Sequence, residues 1–100
     1  MTEVWTHSTW TVKAGREDEF IAAWRALVDD VRAEIEPRVA PTLLRDHDRP
    51  TVFVSFAPWS GGNAVATFRS SEIYHRHLSR MGEFLEHFDA QTLDEVVHGG

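Results

Sequence analysis

The sequence predicts an α+β domain of the split β-α-β-β-α-β, ferredoxin-like kind: one antiparallel four-stranded sheet with its helices on one face. The first observation is the order of elements, in which strand-like and helix-like stretches follow β-α-β-β-α-β with the second helical region broken in two. The second is the stretch TVFVSFAPW over 51–59, which is apolar or small on both faces. Such a strand needs cover on both sides rather than water on one. The third is length: 100 residues make a single domain, 1–100, with one core. A chain this short covers one sheet face with its own helices, so a second copy is expected on the other.

The first strand covers 4–12. Val4, Thr6, Ser8, Trp10 and Val12 face one way, and Trp5, His7, Thr9 and Thr11 the other, a β-branched and aromatic alternation. Ala14 and Gly15 interrupt it. Over 16–36 the apolar residues Phe20, Trp24, Leu27, Val31 and Ile35 recur at spacings of 4, 3, 4 and 4, one stripe of an amphipathic helix. Glu17, Asp18 and Glu19 suit the positive end of its dipole. Pro37 ends it, because the residue before a proline resists the α conformation.

TLLRDH over 42–47 reads as the second strand, 48–50 as a turn, and 51–57 as the third strand. The segment Pro58-Trp59-Ser60-Gly61-Gly62 is a break, followed by a short helix over 63–69. Ser70 and Ser71 cap a longer helix over 72–88, whose apolar positions are Ile73, Tyr74, Leu78, Met81, Leu85 and Phe88. QTLDEVVH over 91–98 is the last strand.

Composition narrows the function classes. The hydrophobic fraction of 42% is enough for a core, and four tryptophans with six phenylalanines can also line a pocket for a flat ligand. A net charge of −6 argues against nucleic acid, which needs a basic face. The absence of cysteine excludes disulfides, thiolate catalysis and Cys-ligated metal centres, and suits a cytoplasmic location. MTEVWTHSTW carries no basic-then-apolar leader. No apolar run approaches the ~20 residues of a membrane helix, so no membrane partner is expected. Large side chains, Trp5 or Trp10 and Phe53 or Phe56, must lie on the sheet face without helices. Such a patch is unusual on a monomer and predicts a two-fold, sheet-to-sheet homodimer.

Three segments carry a resemblance to a known family: VKAGREDEFIAAW (12–24), LLRDHDRPTVFVSFAPW (43–59) and SSEIYHRHLSRMGEFLEHFDAQTLDEV (70–96). In these the chain resembles the antibiotic biosynthesis monooxygenase (ABM) domain family, a set of small dimeric α+β barrel proteins. The resemblance implies that fold and a homodimer. It also implies a cavity between sheet and helices where electron-rich phenolic rings, such as anthrones and quinols, are oxidised by O2 without flavin, metal or haem. A related haem-degrading branch uses an asparagine, a tryptophan and a histidine; the comparable places here hold Ser8, Phe68 and a position near His77 or Leu78, which points away from haem. The anthrone-oxidising branch has a tyrosine six residues after an aromatic on the short helix. Tyr74 matches it, six after Phe68, while Phe68 replaces a tryptophan. Asn63 lies one residue further from Phe68 than that branch's asparagine.

The candidate catalytic residues are Tyr74, as a phenol donating to a substrate oxygen, and His77, four after Ile73, as a base that titrates near neutral pH. Against this stand a core tyrosine whose hydroxyl reaches water and a half-exposed helix histidine. His75 points about 200° from His77 on an ideal helix, so His-x-His makes no metal site and no metal is expected. Candidate substrate-binding residues are His7, Trp10, Trp24, Asn63 and Phe68. Of these, Trp24 equally suits core packing, Asn63 a helix start, and His7 either the cavity or a dimer interface. Trp59 reads as an anchor for the turn after the third strand. Gly61-Gly62 lacks the residues of a phosphate loop.

The expected function is therefore cofactor-independent oxidation of a small aromatic substrate by O2. A base, His77 or a pocket water, removes a proton and the anion passes an electron to oxygen. The competing class is a non-catalytic ligand-binding protein of the same fold, and a third is a packed dimeric module without a ligand. A fully packed core favours the last; a pocket with polar groups directed inward favours the first two.

Overall fold

In the computed structural model, which describes residues 3–99, the chain folds as β1 (Val4–Val12), α1 (Glu17–Glu34), β2 (Thr42–Arg45), β3 (Val52–Trp59), α2 (Gly62–Ser70), α3 (Glu72–Met81), a 3-10 turn (Gly82–Phe84) and β4 (Leu85–Asp94). The sheet order is β2-β3-β1-β4, and every neighbouring pair is antiparallel. This is the α+β, ferredoxin-like arrangement expected from the sequence.

Register fixes which side chains meet the helices. Thr6 lies opposite Ala57, Ser8 opposite Ser55 and Trp10 opposite Phe53, and on the other side Ser8 meets Ala90 and Trp10 meets Phe88. Trp10, Val12, Phe53, Ala57 and Trp59 on the sheet join Phe20, Leu27 and Val31 of α1, Val65 of α2 and Ile73 and Met81 of α3 in one buried core. Its densest part is aromatic. Phe20 sits 5.3 Å from Trp10 and 5.0 Å from Phe53, and Trp10 sits 4.4 Å from Phe88, between ring centroids. The opposite sheet face carries Trp5, His7, Val54, Phe56, Leu44 and Leu93, the last two 51% and 44% exposed.

The fold corrects several boundaries. The helix expected over 72–88 stops at Met81, and β4 starts at Leu85 rather than at 91. Leu78, Met81, Leu85 and Phe88 have helical spacing, but β1 needs a partner for the backbone groups along its free edge. β4 supplies that partner from Val4 to Val12, and tertiary pairing overrides the local pattern. β3 runs through Pro58 to Trp59. Proline is tolerated there because β2 pairs only with Phe53–Phe56, so the missing N–H faces an open edge. β2 ends at Arg45 because Asp46 turns the chain, its carboxylate accepting from the backbone N–H groups of Asp48 and Arg49, both at 2.9 Å. Ser71 caps α3 as expected, accepting from the Tyr74 N–H at 3.1 Å.

Candidate active site

The helix-facing side of the sheet does not pack completely against the helices. Above β1 and β3 lies a cavity whose floor is Thr6, Ser8, Trp10, Ser55, Ala57 and Trp59. Its walls are Trp24, Leu27, Val28 and Val31 of α1, Val39 and Pro41 of the following loop, and Phe68, Arg69 and Tyr74 from α2 and α3. The space is about 60 Å³, smaller than the roughly 150 Å³ that takes benzene in a protein core. An aromatic ligand therefore fits only when wall side chains move apart.

The floor is built by two tryptophans that cross the β1–β3 seam in opposite directions. Trp10 on β1 donates its indole N–H to Ser55 Oγ on β3 at 2.9 Å, and Trp59 on β3 donates to Thr6 Oγ1 on β1 at 2.9 Å. In each case the partner is diagonal in the register, the spacing that long aromatic side chains reach. A hydroxyl that accepts still has its own proton to donate, so the floor offers hydroxyl donors in a mostly apolar chamber.

The wall from α2 and α3 is an aromatic stack ending in a charge. Trp59 and Phe68 stack at 5.0 Å with 26° between planes, and Tyr74 meets Phe68 edge-on at 4.8 Å. Burial raises the Tyr74 phenol above its usual value, opposed by the charge of Arg69. The phenol therefore keeps its proton at neutral pH and is a donor. Arg69, the one charged residue of α2, reaches over β4 and donates through Nη1 to Thr92 Oγ1 at 2.7 Å and through Nη2 to the Gln91 carbonyl at 2.8 Å. Its Nε–H is buried without an acceptor among the described residues, a costly state for a charged donor.

Of the residues singled out in the sequence, the structure brings Tyr74, Trp10, Trp24 and Phe68 together around this cavity. Three lie elsewhere. His77 is buried on the seam between α3 and α1, its Nε2 donating to Asp30 Oδ2 at 2.7 Å. With Ile73 and Met81 it forms the buried stripe of α3, so its four-residue spacing from Ile73 takes it to α1 and not to the cavity. His7 belongs to the outer face of the sheet, paired with Phe56 and Gln91. Asn63 is exposed in the first turn of α2. Thr6, Ser55 and Arg69 were not singled out. The signals for them were an inward phase shared with Trp10 and a lone cation directly after Phe68. Among the described residues no three His, Cys, Asp or Glu gather as a metal site, and no helix is long and apolar enough to cross a membrane.

The family model described as antibiotic biosynthesis monooxygenase matches residues 4–80. No curated protein matches the chain by sequence. Among solved structures, SnoaB, a cofactor-independent oxygenase from Streptomyces nogalater, is similar with a TM-score of 0.82 at 18% identity, covering 97% of this chain and 96% of that one. A candidate antibiotic biosynthesis monooxygenase from Caulobacter crescentus gives 0.83 at 17% identity, over 96% and 92%. A conserved protein from Methanosarcina mazei gives 0.81 at 13%, over 93% and 92%. At these identities the likeness to solved structures is one of fold.

Proposed function

The chain belongs to the antibiotic biosynthesis monooxygenase family, and from that premise we propose that it is a cofactor-independent monooxygenase, oxidising an electron-rich phenolic, quinol or anthrone-type small molecule with O2 in the cavity above β1 and β3. The observation that carries this is the pair Arg69 and Tyr74 at one end of a mostly apolar chamber. A buried guanidinium N–H without an acceptor and a phenol held protonated by burial both call for an oxygen from a ligand, and most strongly for an oxyanion.

Among the described residues, the cavity lining includes no carboxylate and no imidazole. The substrate must therefore be acidic enough to lose its proton to a water in the cavity once its oxyanion is held. Arg69 lowers the cost of that anion by its charge, and Tyr74 by its O–H. The hydroxyls of Thr6, Ser8 and Ser55 orient the polar edge of the ring, while Trp24, Phe68 and the aliphatic side chains of α1 cover its faces and exclude water. The electron-rich anion then gives an electron to O2. For an anthrone-type ring the sum is two C–H bonds broken and one C=O formed, with the second oxygen leaving as water carrying both hydrogens. The substrate supplies every electron, so no external reductant is needed. His77 acts at a distance in this scheme, fixing α3 to α1 and so holding Tyr74.

We assign the outer sheet face, with Trp5, Val54, Phe56, Leu44 and Leu93, to a second copy of the chain in a cytoplasmic homodimer. The test of the chemistry is an incubation of anthrone with purified protein under 18O2. One labelled oxygen in the quinone above the protein-free rate supports a monooxygenase. Saturable binding of anthrone with no oxygenation supports the alternative, a ligand-binding protein.

A further inference from the structure

The cavity, at about 60 Å³, takes an aromatic ligand only if a wall side chain moves, and its walls differ in how firmly they are held. On one side they back onto an outer groove lined by Glu3, Glu36, Arg38, Val39, Pro58 and Trp59. Val39 and Trp59, shared with the cavity, are 4% and 5% exposed. Trp59 is pinned by Thr6 and stacked on Phe68, and the Val39 carbonyl accepts from Arg32 Nε at 2.9 Å. On the other side the wall is Trp24, which also lines a groove of about 440 Å³ between α1 and β2 with Ile21, Arg25, Leu43, Arg45 and Phe53. Trp24 is half-buried. Trp5, Trp10 and Trp59 each donate their indole N–H to a side chain, whereas Trp24 has no such bond among the described residues.

The two grooves also differ in charge. Among the described residues the first is lined by two carboxylates and one cation, Arg38, while the second is lined by Arg25 and Arg45 with no acid. Both arginines are exposed, and neither is in an ion pair among the described residues. Arg45 lies over the Phe53 ring at 4.9 Å, which holds its charge at the rim. In a chain of net charge −6 this is a local positive mouth, and such a mouth draws anions in by steering.

We propose that the groove between α1 and β2 is the ligand's way into the cavity, with Trp24 as its swinging door and Arg25 and Arg45 selecting an aromatic ligand that carries a carboxylate. The inference rests on the cavity being the ligand site. Rotamer changes of a half-exposed indole are fast, and the displaced Trp24 can lie over the aliphatic part of the outer groove, stacked on the incoming ring.

The test is stopped-flow binding of two fluorescent probes, 1-hydroxy-2-naphthoate and 1-naphthol, with Overhauser contacts to the Val28 and Val31 methyls confirming that the bound probe is inside. Arg25→Gln/Arg45→Gln is expected to slow association of the naphthoate about tenfold, to remove its salt dependence, and to leave naphthol unchanged. Trp24→Leu, which keeps an apolar cover, is expected to speed association and dissociation of both probes several-fold, with a much smaller change in Kd. Binding that persists with unaltered rates in both variants would overturn the door while leaving the cavity as the ligand site. No binding of either probe to the wild type or to Trp24→Leu would overturn the cavity as the ligand site, and the door with it.

Discussion

Trp10 donates its indole N–H to the Ser55 hydroxyl at 2.9 Å, across the seam between β1 and β3. Both residues are nearly inaccessible, at 3% and 8% exposure, so the bond is shielded from bulk solvent. With its counterpart between Trp59 and Thr6 it holds the cavity floor flat and turns two hydroxyl protons away from the indoles. Ser55→Ala would leave the Trp10 N–H buried and unpaired. The expected loss is about 1–3 kcal/mol of stability, seen in urea unfolding as a lower midpoint with an unchanged slope. An unaltered midpoint would mean that the floor does not depend on this bond.

Tyr74 separates chemistry from packing. Its hydroxyl has no protein partner among the described residues, while its ring packs edge-on against Phe68. Tyr74→Phe is therefore expected to change stability by less than about 1 kcal/mol. Loss of one hydrogen bond to a developing oxyanion should lower kcat by about tenfold to a hundredfold, with a smaller change in KM. Steady-state kinetics beside a thermal melt of the same sample gives both values.

His77 distinguishes a positioning role from a base. Its Nε2 is committed to Asp30 at 2.7 Å. His77→Gln keeps a donor there and should retain most activity, with the same pH profile around neutrality. His77→Ala should lose stability and activity together. A base in the reaction would instead lose its neutral-pH limb in both variants.

Acid stability follows from three carboxylates. The Asp30 carboxyl is held below its usual value, chiefly by the hydrogen bond from His77, with Arg76 adding to it. Asp46 is held down by the Asp48 N–H and by Arg49, and Glu19 by Arg16. A depressed carboxylate stabilises the fold at pH above its unfolded value, and that contribution is lost as pH falls through the folded value. The ordinary values are 3.8 for Asp and 4.5 for Glu, so stability should be level through pH 5–7 and fall below about pH 4. Asp30→Asn should flatten part of that fall in urea titrations between pH 2.5 and 6.

The outer sheet face carries the dimer proposal. Phe56 packs against Trp5 there, 6.2 Å between centroids, and points away from the core. Phe56→Glu should leave the monomer folded by circular dichroism and halve the mass in sedimentation equilibrium. A wild type that sediments as a monomer would contradict the assignment.

The strands and the first helix were legible because their patterns are local: Thr6, Ser8 and Trp10 alternate, and Phe20, Trp24, Leu27 and Val31 keep one helical stripe. The end of α3 was not legible, because Leu85 and Phe88 continue a helical spacing and only the free edge of β1 makes them strand. Trp10, Trp24, Phe68 and Tyr74 around the cavity could be expected from phase and spacing. His77 could not be excluded from it, since residues three apart on a helix differ by about 60°, and that is enough to turn one toward the sheet and the other toward α1. Arg69 reaches its place by a long side chain spanning α2 to β4, a contact between residues 22 and 23 positions apart that no local pattern encodes.

The most direct test of the central claim is oxygen uptake by the purified protein, without added cofactor, on a panel of anthrones, hydroquinones and naphthols, run in parallel with Tyr74→Phe and Arg69→Met. A cofactor-free monooxygenase working through Tyr74 and Arg69 gives protein-dependent uptake that falls at least about tenfold in each variant, with the fold retained. Uptake at the protein-free rate across the panel, or uptake unchanged in both variants, would contradict it.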